Sequence, residues 1–373
     1  MAKVRESPVA TCEKNFLLKA LSNYTRLDGR AFDEFRNIKI QFGKDWGCCY
    51  VALGQTCALA QVSSEIQQPN SARPSEGIIN INVELNPMAA AHFEPGRQTD
   101  MSVQINRILE KCIKDSKAVD LESLCIKVNE KVWLFRVDVN ILSHEGNIVD
   151  CASIAAIAAL AHYRRPDVTS DGEEIIVHTY SQRDPVPTVL HHHPICVSYA
   201  VFNEGEVLLA DPTLLEENVA EAHLNIGLNA YKELCTLHLG GSTTLNQHCV
   251  IQYTEKAAKR AAEVIDFIKK SLEEDTVKRD QDEVADFSST LFSEIQEDTV
   301  NALIGTLNTW TTQENKWKKP KQLSNIEIVE NDNSVIEVVG EKAAALVPRG
   351  KDESDVWICI DEDVDDDCIL IES

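Results

Sequence analysis

Several groups of side chains in this sequence have the types and spacing to do chemistry. Asp211 and Glu217 are carboxylates six positions apart. Such a pair can hold a divalent metal or move a proton. Asp211-Pro212 after an apolar run also reads as an ordinary turn. Three roles therefore stand for the pair: structural or vestigial, catalytic, and metal binding without turnover. His191-His192-His193 suggests a metal site, but successive side chains diverge, and a polar loop leading into Pro194 accounts for them without one. Asp28 lies between Arg26 and Arg30, a pattern better suited to a local ion-paired turn than to acid–base work. Gly240-Gly241-Ser242 has the small residues of a phosphate loop, yet no lysine follows, and a strand-to-helix turn explains it. No metal or other cofactor is expected.

A second kind of site needs only positive charge. Arg97 follows Pro95-Gly96 and precedes a helical pattern carrying Arg107, Lys111 and Lys114. Spacings of four and three put these last three on one face of an α-helix. Such a face can meet an anionic partner through charge alone. The plainer reading is a solvated helix face.

The elements that would position these residues can be read from periodicity. Ile38, Ile40 and Phe42 alternate, and Cys49–Leu53, Gly54-Gln55 and Thr56–Val62 form a hairpin pattern. Ile78–Leu85 is a further strand. Met101, Ile105, Ile108, Leu109 and Cys112 recur at helical spacing over Asp100–Lys114. Val132–Leu142 alternates, with Trp133, Phe135, Val137, Val139 and Ile141 on one face. The polar turn His144–Asn147 then leads into an alanine-rich helix over Asp150–His162, which stops before Pro166. Val168–Pro194 reads as loop. Strands follow at Ile195–Phe202, Val207–Ala210, His223–Leu228 and Leu234–Leu239, then an amphipathic helix over Thr254–Leu272. The class is α+β. Four regions are expected: a first subdomain with an N-terminal helix over 1–190, a second over 191–275, a weakly helical extension over 276–306 that includes Val284–Ile304, and an acidic disordered tail over 307–373.

The 373 residues and 43% hydrophobic content are ample for a buried core. No run of about eighteen apolar residues exists to form a membrane-spanning helix, and Met1–Lys19 lacks the order of a secretory signal. The twelve cysteines form no C-x-x-C, and Cys57, Cys151, Cys196 and Cys235 lie in apolar stretches. Free thiols in a reducing compartment, cytosol or nucleus, are expected. A net charge of −24 argues against nucleic acid. From Lys321 to Ser373, however, fifteen acids face four bases, a net of −11, so the body is only mildly acidic. Within the tail, Val356–Ile360 precedes Asp361–Asp363, and Ile369, Leu370 and Ile371 follow Asp365–Asp367. An apolar island beside acids can add a strand to a partner's sheet edge. It resembles a SUMO-interacting motif, which predicts a SUMO-like partner; the plain alternative is a solvated acidic tail.

Four segments in order carry a family resemblance. They are Arg26-Leu27-Asp28-Gly29-Arg30; Phe93-Glu94-Pro95-Gly96-Arg97; Leu142–Asp150 with its alanine-rich helix; and Asp184-Pro185-Val186-Pro187 followed by Ala210-Asp211-Pro212-Thr213. Over about Phe16 to Asp275 the chain resembles the RNase PH superfamily, and within it the non-catalytic branch of exosome rings. The resemblance implies a two-layer RNase PH-type βαβα domain, a six-membered ring around a pore, and RNA as ligand, with Arg97 and the helix behind it toward the pore. Other RNase PH-like ring subunits, cap subunits and separate nucleases are the implied protein partners, and nucleus, nucleolus and cytoplasm the implied locations. Active relatives attack RNA with phosphate, held by a Gly-Gly-Ser/Thr-Arg loop at a strand-to-helix turn. The matching turn here is Glu145-Gly146-Asn147-Ile148-Val149, with apolar residues in place of the hydroxyl and the arginine. Asp211 and Glu217 match the family's acid pair. The implied function is a non-catalytic, RNA-binding ring subunit in 3′-to-5′ RNA processing and degradation. The rivals are an active phosphorolytic exoribonuclease and a scaffold working through its acidic tail.

Overall fold

A computed structural model describes residues 9–94, 96–171, 174–180 and 182–281, and the backbone of 334–340 and 343–348. After helix α1 (Thr11–Ser22) come β1 (Ile38–Phe42), β2 (Cys48–Leu53), β3 (Thr56–Gln67) and β4 (Ile78–Leu85). Helix α2 (Asp100–Leu109) runs into a π-helical turn, Glu110–Asp115. The short β5 (Cys125–Lys127) and the long β6 (Lys131–Ser143) complete the first sheet, ordered β1-β2-β3-β6-β4 with β5 on β6. All its pairings are antiparallel except β4 with β6, which is parallel. Register follows the alternation: Trp133, Phe135, Val137, Val139 and Ile141 are all buried on one face of β6.

Helix α3 (Ile148–His162) is buried at every position but Val149 and Ala161. A helix apolar all round belongs in a core rather than at a surface. It packs against β2, β3 and β6 on one side and against Ile195–Phe202, a strand of the second sheet, on the other. Its alanines allow the close approach. That second sheet comprises β11 (Ile195–Phe202), β12 (Val207–Ala210), β13 (Ala222–Leu228) and β14 (Leu234–Gly241), in the order β12-β11-β13-β14. Between β12 and β13 lies a short helix, α4 (Leu214–Val219). The long α5 (Gln247–Asp280) lays Ala257, Ala261, Val264, Ile265 and Ile268 into the core. Both sheets share one hydrophobic core because α3 serves both. A smaller cluster joins Leu17 and Leu21 of α1 to Ala200, Phe202, Leu209 and Val219.

Among the differences from the sequence reading, three stand out. The stretch after α3 contains paired strands: β7 (Arg164–Arg165) with β10 (Val186–Pro187), and β8 (Val168–Asp171) with β9 (Glu174–Val177). These ladders are too short for periodicity to register. Helix α5 extends beyond Leu272 to Asp280, because its last turns find partners that a hydrophobic stripe does not reveal. Within the tail expected to be disordered, β15 (Ser334–Gly340) pairs antiparallel with β16 (Ala343–Pro348). The β-branched Val335, Ile336, Val338 and Val339 favour that strand. This hairpin belongs to a second unit, Gln296–Ser373, separate from Met1–Ile295. The helix expected over Val284–Ile304 and the islands around Trp357 and Ile369–Ile371 lie outside the described residues. All ten cysteines among the described residues are free. Among those residues no helix is long and apolar enough to cross a membrane.

Candidate functional site

The turn between β6 and α3 is the centre of the site. Gly146 has φ +88°. A Cβ there would lie 2.5 Å from the carbonyl carbon of Thr213 and 2.6 Å from Leu214 N and Pro212 O. Only glycine permits this approach of the turn to the chain after β12. Asn147 follows at φ +55° and caps α3. Its Nδ2 donates to Asp150 Oδ2 at 2.8 Å and to Asp211 Oδ1 at 2.7 Å. Its backbone N–H donates to Glu217 Oε1 at 2.7 Å. The N-terminus of α3 points partial positive charge at this spot, the place where such a fold would hold an anion. Here the Glu217 carboxyl group takes that place from within the chain.

Asp211 sits at the end of β12, fully buried, with φ +48°. Arg36 donates to it three times: from the backbone N to Oδ2 at 2.8 Å, from Nε to Oδ2 at 2.8 Å and from Nη2 to Oδ1 at 2.7 Å. Arg30 Nη1 adds a bond to Oδ2 at 2.9 Å. Burial pushes this carboxyl up, but the Arg36 guanidinium outweighs it and holds the group below the usual aspartate range. The remaining Arg36 N–H groups go to Thr56 Oγ1 and to the carbonyls of Glu145 and Gly146. One arginine thus ties Asp211 to the turn.

The neighbouring ionisable groups are also committed. Arg26 grips Glu216 at 3.0 and 2.6 Å and donates to the carbonyls of Ala210 and Asp211. Asp28 pairs with Arg30 at 2.6 Å and lies 3.7 Å from Arg26. The local ion-paired turn is present, and both its arginines reach on to the segment after β12. Asp150 is buried in α3, where it accepts from Ser198 Oγ at 2.6 Å. Burial raises it to about 7, against the bonds from Ser198 and Asn147. Burial likewise raises the half-buried Glu217 to about 7.

The other sequence candidates are dispersed. Arg97 is exposed and paired with Glu94 at 3.1 Å. Arg107, Lys111 and Lys114 are exposed. A shared face required continuous α-helix, but the π-helical turn from Glu110 takes more residues per revolution and swings Lys114 out of phase. Lys114 instead lines a cleft of about 740 Å³ with Arg73, Lys117, Asp120 and His191. His191 lies 3.9 Å from Asp120, while the His192 ring bonds Ser116 O at 2.9 Å. Gly241 has φ +132°, and a Cβ there would meet the Cα of Ala222 at 2.4 Å, so this glycine serves strand packing. Ile148 is buried in the core and Val149 is half-buried. Ile369, Leu370 and Ile371 lie outside the described residues.

Sequence reasoning missed Arg36, Thr56, Asn147, Asp150 and Glu216. Asp150 had a signal: a carboxylate inside an otherwise apolar helix needs partners to be tolerated. The clamp by Arg36 had none, since its partners are 20 to 175 residues away in sequence.

Comparison with known proteins fits this architecture. Residues 34–166 match the first domain of the 3′ exoribonuclease (RNase PH) family and residues 192–260 its second domain. The chain belongs to that family. Among individual proteins, it is 48% identical over 272 residues to the Homo sapiens protein named exosome complex component RRP45, covering 73% of this chain and 62% of that one. With the RRP45 of Schizosaccharomyces pombe it shares 41% over 267 residues, covering 72% of this chain and 92% of that protein. The match thus spans less than two thirds of the mammalian proteins. Among solved structures it is similar to a chain of the Archaeoglobus fulgidus exosome with RNA bound to the active site. The TM-score is 0.61 at 28% identity, over 68% of this chain and 97% of that one. A chain of an archaeal exosome core gives 0.58 at 26% identity, over 69% and 96%.

Proposed function

We propose that this chain is a non-catalytic, RNA-binding structural subunit of an exosome ring, the counterpart of RRP45, also called exosome component 9 or the polymyositis/scleroderma autoantigen subunit. The observation that carries the reading is the internal use of both acids. Asp211 is saturated by Arg36, Arg30 and Asn147, and Glu217 occupies the N-terminus of α3. Phosphorolysis needs a phosphate held by donors and positive charge. At this turn the donor already faces a carboxylate, Arg36 is spent, and Ile148 and Val149 offer neither hydroxyl nor guanidinium. The names of the relatives support the ring assignment. On this reading RNA, other RNase PH-like ring subunits, cap subunits and associated nucleases are the partners, and nucleus, nucleolus and cytoplasm the locations.

The test of inactivity is incubation of the pure chain with labelled oligo-RNA, magnesium and phosphate. No nucleoside diphosphate is expected; release that disappears in Glu217→Gln overturns the reading. Arg97 and Arg107 are the proposed phosphate contacts, with Lys111 and Lys114 secondary. Replacing Arg97 and Arg107 by Glu should weaken RNA binding by the assembled ring for every sequence and flatten its salt dependence. Unchanged affinity and slope with an intact ring refute these contacts. For the tail, a peptide over residues 361–373 should shift a labelled SUMO protein, and one with Ile369, Leu370 and Ile371 as Ala should not. Equal responses leave a solubilising tail.

A further inference from the structure

The cleft beside the turn has the wrong charge for the ligand its location suggests. It encloses about 360 Å³ between α2, the turn, α4 and strands β11, β13 and β14. Its volume is that of a small-ligand site. No lysine or arginine lines it, and Glu217 is its single carboxylate. Arg36, the nearest candidate for an anion partner, has every N–H committed behind the turn. Three histidines border the space: His144, His223 and His238. Burial lowers His144 to about 4 and also lowers His223, so at neutral pH these two present uncharged ring faces.

Glu217 has acceptor capacity to spare. Among the described residues Glu217 takes only the Asn147 N–H, through Oε1. Asn147 also lines the cleft, but it is 1% exposed and its unpartnered Oδ1 is shut off from that space. On the opposite wall Met101, Ile105 and Ile108 of α2 offer an apolar surface. A carboxyl group with acceptor capacity to spare, flat imidazoles and an aliphatic wall together suit one chemical group. A guanidinium supplies several donors in a plane, stacks on rings, and carries an aliphatic stem to cover the apolar wall.

We propose that this cleft is an acceptor site for a guanidinium cation, as carried by an arginine side chain. The inference rests on the non-catalytic reading, since an active phosphorolytic site would take phosphate here. An arginine from a neighbouring protein chain and a free guanidinium compound share this chemistry.

The test uses the full chain with labelled Met, Ile and Leu methyl groups, observed by NMR during titration with N-acetyl-arginine amide. Saturable shifts are expected at Met101, Ile105, Ile108 and Leu214. The neutral isostere N-acetyl-citrulline amide should produce none, and inorganic phosphate none. Glu217→Gln keeps an oxygen for the Asn147 N–H and should weaken arginine-amide binding roughly tenfold or more. The same shifts from a protein segment bearing one arginine, at lower concentration than the free amide requires, would identify a partner chain as the source. Equal effects from citrulline and arginine amides overturn the proposal, as does no shift with arginine amide. Shifts from phosphate, accompanied by diphosphate release from RNA, overturn the non-catalytic reading as well. Absence of arginine binding without such release overturns the cation site alone.

Discussion

Replacing Asp211 by Asn separates a structural from a catalytic role for this residue. The amide has the shape of the carboxylate but lacks its charge, and it turns one acceptor into a donor. In the native chain Asp211 accepts from Arg36 N, Nε and Nη2, from Arg30 Nη1 and from Asn147 Nδ2, all at 2.7 to 2.9 Å. The variant leaves two largely buried guanidiniums without that counter-charge and sets an NH2 against their N–H groups. Breaking a buried pair from one side costs about 3–5 kcal/mol. For a unit of this size that lowers Tm by roughly 5–9 °C. Urea unfolding followed by circular dichroism measures the loss. Asp28→Asn is the control, because that carboxylate is 30% exposed, and it should cost less than about 1 kcal/mol. The sign with pH is fixed. Asp211 is held below its ordinary value of 3.8, so its contribution is present above that value and lost as pH falls through the lowered one. The gap between native chain and variant should therefore close only in strong acid. A loss below about 1 kcal/mol at neutral pH would refute the buried clamp.

Gly146→Ala should cost roughly 3 kcal/mol or more, seen as a lower urea midpoint, because φ is +88° and the new methyl meets backbone of 212–214 at 2.5–2.6 Å; a near-native midpoint would show the turn free to move. Glu217 is raised from 4.5 to about 7, so its contribution is present below 4.5 and lost as pH rises through 7. Glu217→Gln should accordingly gain up to about 3 kcal/mol on the native chain between pH 4 and pH 8, and parallel pH–stability curves would exclude this. Arg279 stacks 4.2 Å from the Trp46 ring and donates to Asp275, Lys44 O and Gly43 O. Arg279→Met should speed amide exchange in the last turns of α5 without altering α3; unchanged exchange at the end of α5 would show another anchor.

Most elements were legible because their burial is one-sided or complete. The alternation of β6, the alanines of α3 and the stripe of α5 each have a period that a sequence displays. What escaped depends on distant partners. Helix α5 runs eight residues past its stripe, and its last turns are anchored through polar groups: Asp275 lies 3.2 Å from His162, and Arg279 reaches Trp46 and the turn between β1 and β2. The single face of Arg107, Lys111 and Lys114 failed because a π-helical turn leaves no simple mark in residue order. At the site, Asp211 and Glu217 were visible as a pair, and Asp28 as an ion-paired turn. That Arg36 binds Asp211, Thr56 and the turn carbonyls at once could not be seen, since those groups meet only after both sheets have closed on α3.

The arginine clamp has a consequence for how reversible such a site is over generations. In this chain the residues that would be needed for phosphate chemistry are fastened to one another and help close the fold. Placing a hydroxyl at position 148 would put it in the core, where the side chain is 1% exposed. Placing an arginine at 149 would set it beside the acceptor now given to Asn147, and freeing Asp211 would strand Arg36 and Arg30. Each step alone lowers stability. On the non-catalytic reading proposed above, the turn therefore behaves as a ratchet: each single substitution toward phosphate binding costs stability, and coordinated changes are needed to reach chemistry.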